Sequence, residues 1–155
     1  MERAPRAPDG RAMRVRDVMT SRPFTIRRDK RLQAVQSMLE WGAFRHVPVV
    51  DEHGFLVGVV SQTDVLKASA SELDPDTPRA QRCLQLASVA VERVMRGEVV
   101  TADPDETVAE AAARMLRLRI HCLPVVELGR VVGIVTARDL LGVVADQPAV
   151  DPAVR

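Results

Sequence analysis

The sequence predicts an α/β (α+β) fold built from two copies of one β-α-β-β-α unit, and three observations carry that prediction. The first is self-similarity. VRDVM at 15–19 returns as VERVM at 91–95, Thr25 as Thr101, Asp29 as Asp105, and Pro48-Val49-Val50 as Pro124-Val125-Val126, always 76 positions on. Beyond a one-residue gap, VGVVSQTDVL at 57–66 returns as VGIVTARDLL at 132–141. A spacing held this long, with its one gap in an expected turn, marks a tandem duplication. The second observation is composition: Val occurs 25 times and aromatics make up only 3%, so the core must be aliphatic and strands are favoured. The third is that short apolar runs alternate with segments of helical period.

Each copy opens with a short apolar segment, Phe24-Thr25-Ile26 or Val99-Val100-Thr101, read as a strand. A helix over 30–41 follows, with Leu32, Val35 and Leu39 on one face. Met38 and Trp41 near its end are read as core ahead of a partner-binding patch. The counterpart helix spans 104–117, with Val108, Ala111, Ala112, Met115 and Leu116 inward. Asp103-Pro104-Asp105-Glu106 supplies its N-cap, a proline at the first position and an acid close behind. Then come two strands per copy, Val47–Val50 with Phe55–Val60, and Leu123–Val126 with Val131–Val135. Asp51–Gly54 and Glu127–Arg130 form the turns between them. A last helix starts near Gln62 or Ala137.

The organisation is therefore a flexible arm (1–12), copy one (13–70), a connector (71–88), copy two (89–145) and a flexible tail (146–155). In the connector, Asp74-Pro75-Asp76-Thr77-Pro78 is a turn cluster that restarts a short helix over 78–87, with Leu84 and Leu86 facing the body. Each copy's sheet has an apolar face that ~60 residues could hardly bury alone, so the halves 1–72 and 73–155 are not expected to fold separately.

Composition also excludes. Lys+Arg 22 against Asp+Glu 21 leaves +1, far from the basic footprint of a nucleic-acid binder. With no Tyr there is little material for base stacking. No run approaches the ~20 apolar residues of a membrane span, and the first residues lack a secretory apolar segment. A cytoplasmic protein is expected. Cys83 and Cys122 lack ligand spacing, and His46, His53 and His121 are scattered, so neither a disulfide scaffold nor a metal site is expected.

The β-α-β-β-α order, the Val-Met dipeptide ahead of each copy, the Pro-Val-Val strand and the G-h-h-S/T-x-x-D pattern together resemble CBS (cystathionine-β-synthase-type) domains, which occur in tandem as Bateman modules. The resemblance covers about residues 13–145. It implies two repeats packed through their sheets about a pseudo-twofold axis, with two clefts that often hold AMP, ADP, ATP, S-adenosylmethionine or a similar adenosine-containing ligand. Such a ligand would be regulatory, with no catalytic cofactor. A homodimer acting on a separate, unidentified protein is implied as well.

The resemblance places the site at the ends of Gly58–Asp64 and Gly133–Asp139, where a buried strand feeds a helix N-terminus. Unpaired N–H groups and the helix dipole there suit a phosphate. Ser61 and Thr136 can bond a phosphate or ribose oxygen, and Asp64 and Asp139 take the role of ribose acceptors. Gly58 and Gly133, lacking side chains, would let the chain pack beside a ligand. Ser-x-x-Asp and Thr-x-x-Asp are equally capping-box patterns that need no ligand. The local pattern favours capping; the tandem context favours at least one ligand site.

Thr25 and Thr101 occupy the position where the family lines its adenine pocket, although strand propensity alone explains a β-branched residue there. Arg45-His46 and His121-Cys122 match a position where basic residues reach ligand phosphates. Cys122 cannot supply charge, and Arg138 beside Asp139 compensates in part. The two sites should therefore bind unequally, with copy one favoured. An enzyme is not expected, because the two copies consume the chain and no nucleophile–base pair can be argued. The alternative is a ligand-free dimerisation or interaction module of the same fold.

Overall fold

The structure is a computed structural model that describes residues 11–42, 44–70 and 79–145. The expected flexible ends over 1–10 and 146–155, the Asp74–Pro78 turn cluster and the side chain of Cys83 lie outside the described residues. The elements in chain order are α1 (Val15–Val18), β1 (Thr20–Ser21), β2 (Ile26–Arg27), α2 (Leu32–Trp41), β3 (His46–Val50), β4 (Leu56–Ser61), α3 (Gln62–Ala70), α4 (Arg79–Ser88), a 3-10 turn (Val91–Arg93), α5 (Val108–Leu118), β5 (Cys122–Glu127), β6 (Arg130–Thr136) and α6 (Ala137–Ala145). The fold is mixed α/β with two three-stranded sheets.

Two compact units result, and they are not the two repeats end to end. Residues 22–100 with 128–131 make one, called here the copy-one unit. The other, the copy-two unit, gathers the described residues 11–21, 101–127 and 132–145. The Val-Met lead of each repeat thus belongs to the unit built on the other repeat.

In the copy-one unit the sheet order is β2-β3-β4. β2 runs parallel to β3 (Ile26↔Val49), and β3 antiparallel to β4 (His46↔Ser61, Val47↔Val60). β3 is buried along Val47–Val50, the continuous apolar run typical of a strand covered on both faces. Around it lie Ile26, Leu32, Val35, Val60, Val65, Leu86 and Val91. The lead of copy two is stitched in by Val91 N–H donating to the Lys30 carbonyl (2.8 Å), and by a reciprocal pair between Val59 and Arg96 (3.1 and 2.9 Å). Burying Val91 or Leu86 contributes about 1.5–3 kcal/mol each. Residues 128–131 join this unit through Leu56 N–H to the Gly129 carbonyl (3.1 Å) and the Arg130 guanidinium 4.9 Å over the Phe55 ring.

The copy-two unit has sheet order β1-β6-β5, with Thr20↔Ile134 and Ser21↔Gly133 antiparallel. Ala102 bridges in parallel to Val125, the counterpart of the β2–β3 pairing. Its core is Val15, Ala102, Ala111, Met115, Leu123, Val125 and Val135. Here the lead of copy one is held by Val15 N–H to the Glu106 carbonyl (2.9 Å) and Arg16 N–H to the Pro104 carbonyl (3.0 Å). β5 and β6 meet across Leu128-Gly129, both at positive φ (50° and 78°), a two-residue turn whose twist suits a hairpin. Copy one spends one more residue on its turn, closed by Asp51 Oδ1 accepting from His53 and Phe55 N–H at 2.9 Å, and this accounts for the gap in the repeat.

Several expectations need correction. Trp41 is 92% exposed, not core. It lies nine residues beyond Leu32, which at 3.6 residues per turn is half a turn away from the buried face. In α4, Leu86 is buried but Leu84 is 73% exposed, since residues two apart on a helix do not share a face. Leu116 likewise sits one residue round from buried Met115 and is 80% exposed. The second long helix starts at Val108 rather than 104, capped by Thr107. Glu110 N–H donates to Thr107 Oγ1 (3.2 Å), and Thr107 N–H donates to Glu110 Oε2 (2.9 Å). Asp103-Pro104 instead forms a preceding turn, with Asp105 N–H donating to Asp103 Oδ1 at 2.7 Å. The first strand of copy one is only Ile26–Arg27, and exposed Phe24 stacks on Phe44 with ring centroids 5.7 Å apart. Val99–Thr101 form no strand; the single bridge comes one residue later.

Candidate functional site

The two strand-to-helix junctions are built alike. In copy one, Ser61 ends β4 and Asp64 lies in the first turn of α3. Asp64 Oδ2 accepts from Ser61 N–H (2.9 Å) and from Ser61 Oγ (2.5 Å), while Asp64 N–H donates back to Ser61 Oγ (3.2 Å). In copy two, Asp139 Oδ2 accepts from Thr136 N–H and Oγ1, both at 2.7 Å, and Asp139 N–H donates back to Thr136 Oγ1 at 3.4 Å. Both are capping boxes, and the capping reading of the motif is realised twice. Each box uses one carboxylate oxygen, Oδ2.

Pairing brings further residues of the expected set to the same places. His46 lies opposite Ser61 in the sheet, and the carbonyl of exposed Arg45 accepts from Gln62 N–H (2.9 Å). The carbonyl of exposed His121 accepts from Ala137 N–H (2.9 Å), and exposed Arg138 follows directly. Arg45, His46, Ser61 and Asp64 thus converge in one unit; His121, Thr136, Arg138 and Asp139 converge in the other. Thr25 and Thr101 stay at the sheet edge, each one residue ahead of the parallel pairing to β3 or β5. The Thr101 carbonyl accepts from Arg114 Nη1 (2.6 Å), whose guanidinium also grips Glu106 at 2.7 and 3.2 Å.

Three residues that sequence reasoning did not place at the site matter there. A Cβ on Gly58 would lie 2.6 Å from Met95 Sδ, and one on Gly133 would run into Met19 Sδ. These glycines make room for the methionine of each Val-Met lead, a packing reason for their missing side chains that needs no ligand. The third is Arg96, whose Nη2 stands 3.5 Å from Asp64 Oδ1. Its signal was present in the repeat, where Thr20 and Arg96 are the non-matching pair that follows each matching Val-Met.

An apolar cavity of about 330 Å³ lies elsewhere in the copy-one unit, lined by Phe24, Ser37, Met38, Trp41, Gly42 and Phe44, none of them in the expected site. Among the described residues, no three His, Cys, Asp or Glu side chains cluster to hold a metal. No described helix is long and apolar enough to cross a membrane.

The sequence profile of the CBS domain matches the chain twice, over residues 15–71 and 91–146. The chain belongs to the CBS domain family. Among solved structures, this CBS pair is similar to the CBS domain pair of protein MJ0100 in complex with 5′-methylthioadenosine and S-adenosyl-L-methionine (30% identity, TM-score 0.74, covering 86% of this chain and 97% of that one). It is similar also to the CBS domain of a CBS domain-containing membrane protein from Sphaerobacter thermophilus (39% identity, TM-score 0.69, 85% and 88% covered). Among curated proteins, a homoserine O-acetyltransferase of Methanococcoides burtonii is 38% identical over 127 residues, 81% of this chain. The CBS pair spans only 23% of that protein's length and 22% of the L-aspartate semialdehyde sulfurtransferase of Methanocaldococcus jannaschii. The similarity to those two enzymes is therefore a similarity to a part of each.

Proposed function

We propose that this CBS pair is a regulatory module that binds an adenosine-containing ligand at its two strand-to-helix junctions and passes the bound state to a partner protein. The observation that carries the reading is the duplicated junction itself, a Ser or Thr and an Asp on a helix N-terminus with basic residues alongside. The cap occupies Oδ2 of each Asp, so Oδ1 is the oxygen that would accept from ribose hydroxyls. The helix N-terminus, with Arg45 and His46 or with His121 and Arg138, would attract a phosphate. Thr25 and Thr101 would border the base. The adenosine compounds bound by the CBS pair of MJ0100, at 30% identity, support this ligand class. No catalytic step is assigned to the chain, and the ligand is a regulator rather than a cofactor.

The reading includes a homodimer. Leu66 on α3 and Leu141 on α6 occupy the same place in the two repeats, and both are exposed, as is Val144. A repeated apolar position on the outer helices suits isologous pairing. Sedimentation at micromolar concentration should give about twice the 17.0 kDa chain mass. The same exposed leucines favour a second reading, a ligand-free dimerisation module.

Calorimetric titration with AMP, ATP and S-adenosylmethionine separates the two. Binding by the wild type, weakened separately by Asp64→Ala and Asp139→Ala at temperatures where both variants are folded, supports the sensor. A wild type that dimerises and binds no adenosine compound supports the scaffold.

A further inference from the structure

Asp64 and Asp139 hold equivalent positions in equivalent caps, yet among the described residues only Asp64 of the two has an arginine side chain in ion-pair range. The residue after each Val-Met lead pairs with the strand that feeds the helix. Arg96 is fixed against Val59 by two backbone hydrogen bonds, and Thr20 lies opposite Ile134, the repeat counterpart of Val59. From that fixed backbone the Arg96 guanidinium stands 3.5 Å from Asp64 Oδ1. The Asp64 side chain is 10% exposed and that of Arg96 is 67% exposed, so the nearly buried carboxylate meets its counter-charge on the solvent side. Thr20, at the matching place in the copy-two unit, has no charge to offer Asp139.

We infer that Arg96 makes the copy-one site more selective for adenosine ligands that carry a 5′ phosphate than the copy-two site, which has Thr20 at that position; this rests on the reading of Asp64 as ribose acceptor. A ribose hydroxyl that reaches Asp64 Oδ1 must displace the guanidinium. At 3.5 Å, with the guanidinium largely in solvent, the ion pair is weak enough to be displaced. A ligand with an uncharged 5′ group leaves the displaced cation without a partner and Asp64 without its counter-charge. A phosphate accepts the guanidinium in a forked, charge-assisted pair, so the exchange leaves both charges satisfied. Arg45, one residue ahead of β3, also favours phosphate, but it makes no contact with Asp64. Removing Arg96 therefore changes two affinities in opposite senses, which removing Arg45 does not.

The test isolates one site at a time and titrates with AMP and with 5′-methylthioadenosine. In an Asp139→Ala background, copy one should prefer AMP. Arg96→Thr should then lower that preference about tenfold, by weakening AMP and tightening 5′-methylthioadenosine. In an Asp64→Ala background, Thr20→Arg should raise the AMP preference of copy two. An unchanged preference in Arg96→Thr, with binding that is still lost on Asp64→Ala, overturns the inference and leaves the ribose reading standing. Binding confined to copy two overturns it as well. If the wild type binds neither compound, the ribose reading itself fails and takes the inference with it.

Discussion

Gly58→Ala tests whether the methionine of the exchanged lead, rather than a ligand, dictates the glycine of the G-h-h-S/T motif. The new Cβ would lie 2.6 Å from Met95 Sδ, 3.0 Å from Met95 Cγ and 3.1 Å from the Arg96 carbonyl oxygen. Ordinary carbon contacts lie at about 3.5–4.0 Å, so the sulfur must retreat by about 1 Å. Met95 is flexible but packs on the copy-one core, and the Arg96 carbonyl is tied to Val59 N–H. Overpacking of this kind costs about 1–3 kcal/mol. Taking about 2 kcal/mol, the melting temperature of a chain this size should fall by roughly 4–8 °C. Urea unfolding of the ligand-free protein reads the effect directly. Adding Met95→Ala should recover part of the loss, a coupling of about 1 kcal/mol between neighbours. Gly142→Ala is the control: a Cβ there meets nothing within 4 Å, and alanine in that helix should stabilise by about 0.5–1 kcal/mol. Wild-type stability in Gly58→Ala, or a cycle additive within about 0.5 kcal/mol, would refute the packing account.

Three further outcomes follow from the same contacts. Fragments 1–72 and 73–155 should show no cooperative unfolding as isolated monomers, because the first loses buried Leu86 and Val91 and the second loses buried Val15; circular dichroism melts of each decide this. Thr107→Ala removes a two-way cap and should cost about 1 kcal/mol, read by denaturant midpoint, while Thr107→Ser should retain most of it. Acid should destabilise the fold in a defined sense. The Phe55 N–H bonded to Asp51, the Thr107 hydroxyl bonded to Glu110 and the Arg14 N–H bonded to Asp17 hold these carboxyls below their ordinary values. Their contribution is full above the unfolded-state values and disappears as pH falls through the folded ones, so stability should decline from about pH 4 downward, and Asp51→Asn should flatten that decline.

The repeat, the strand pairs and the inward faces of the helices were legible because period and duplication record which residues are covered. Leu32, Val35, Ala111 and Met115 are buried where periodicity put them. Trp41, Leu84 and Leu116 were misjudged because apolar character was read without its angle around the helix. The start of α5 was misplaced because Asp103-Pro104 and Thr107-Glu110 are both good start signals, and only the second leaves Pro104 free to turn. Ser61-Asp64 and Thr136-Asp139 were correctly legible as paired motifs, but a cap and a ribose acceptor require the same atoms, so residue types alone do not rank them. The exchange of leads had no local signature. A repeat reports which segments are alike; which body each segment completes depends on contacts far along the chain.

That exchange also sets an order of assembly. Most of the copy-one unit is contiguous from Arg22 to Val100, so its sheet and its borrowed lead can close soon after that stretch exists. The other unit begins at the front of the chain and cannot. Arg14 meets Asp105 across 91 positions, Arg16 meets Pro104 across 88, and Thr20 waits for Ile134, which lies in the last described strand. During synthesis, which releases the N-terminal end first, Val15 and Val18 are exposed apolar residues for as long as copy two is missing. Such long-range closure is slow, so refolding should show a fast phase reporting on Val91 and a slower one reporting on Val15. A truncated or stalled product would carry a complete copy-one sheet and an unsatisfied apolar lead, a ready acceptor for the second repeat of another chain.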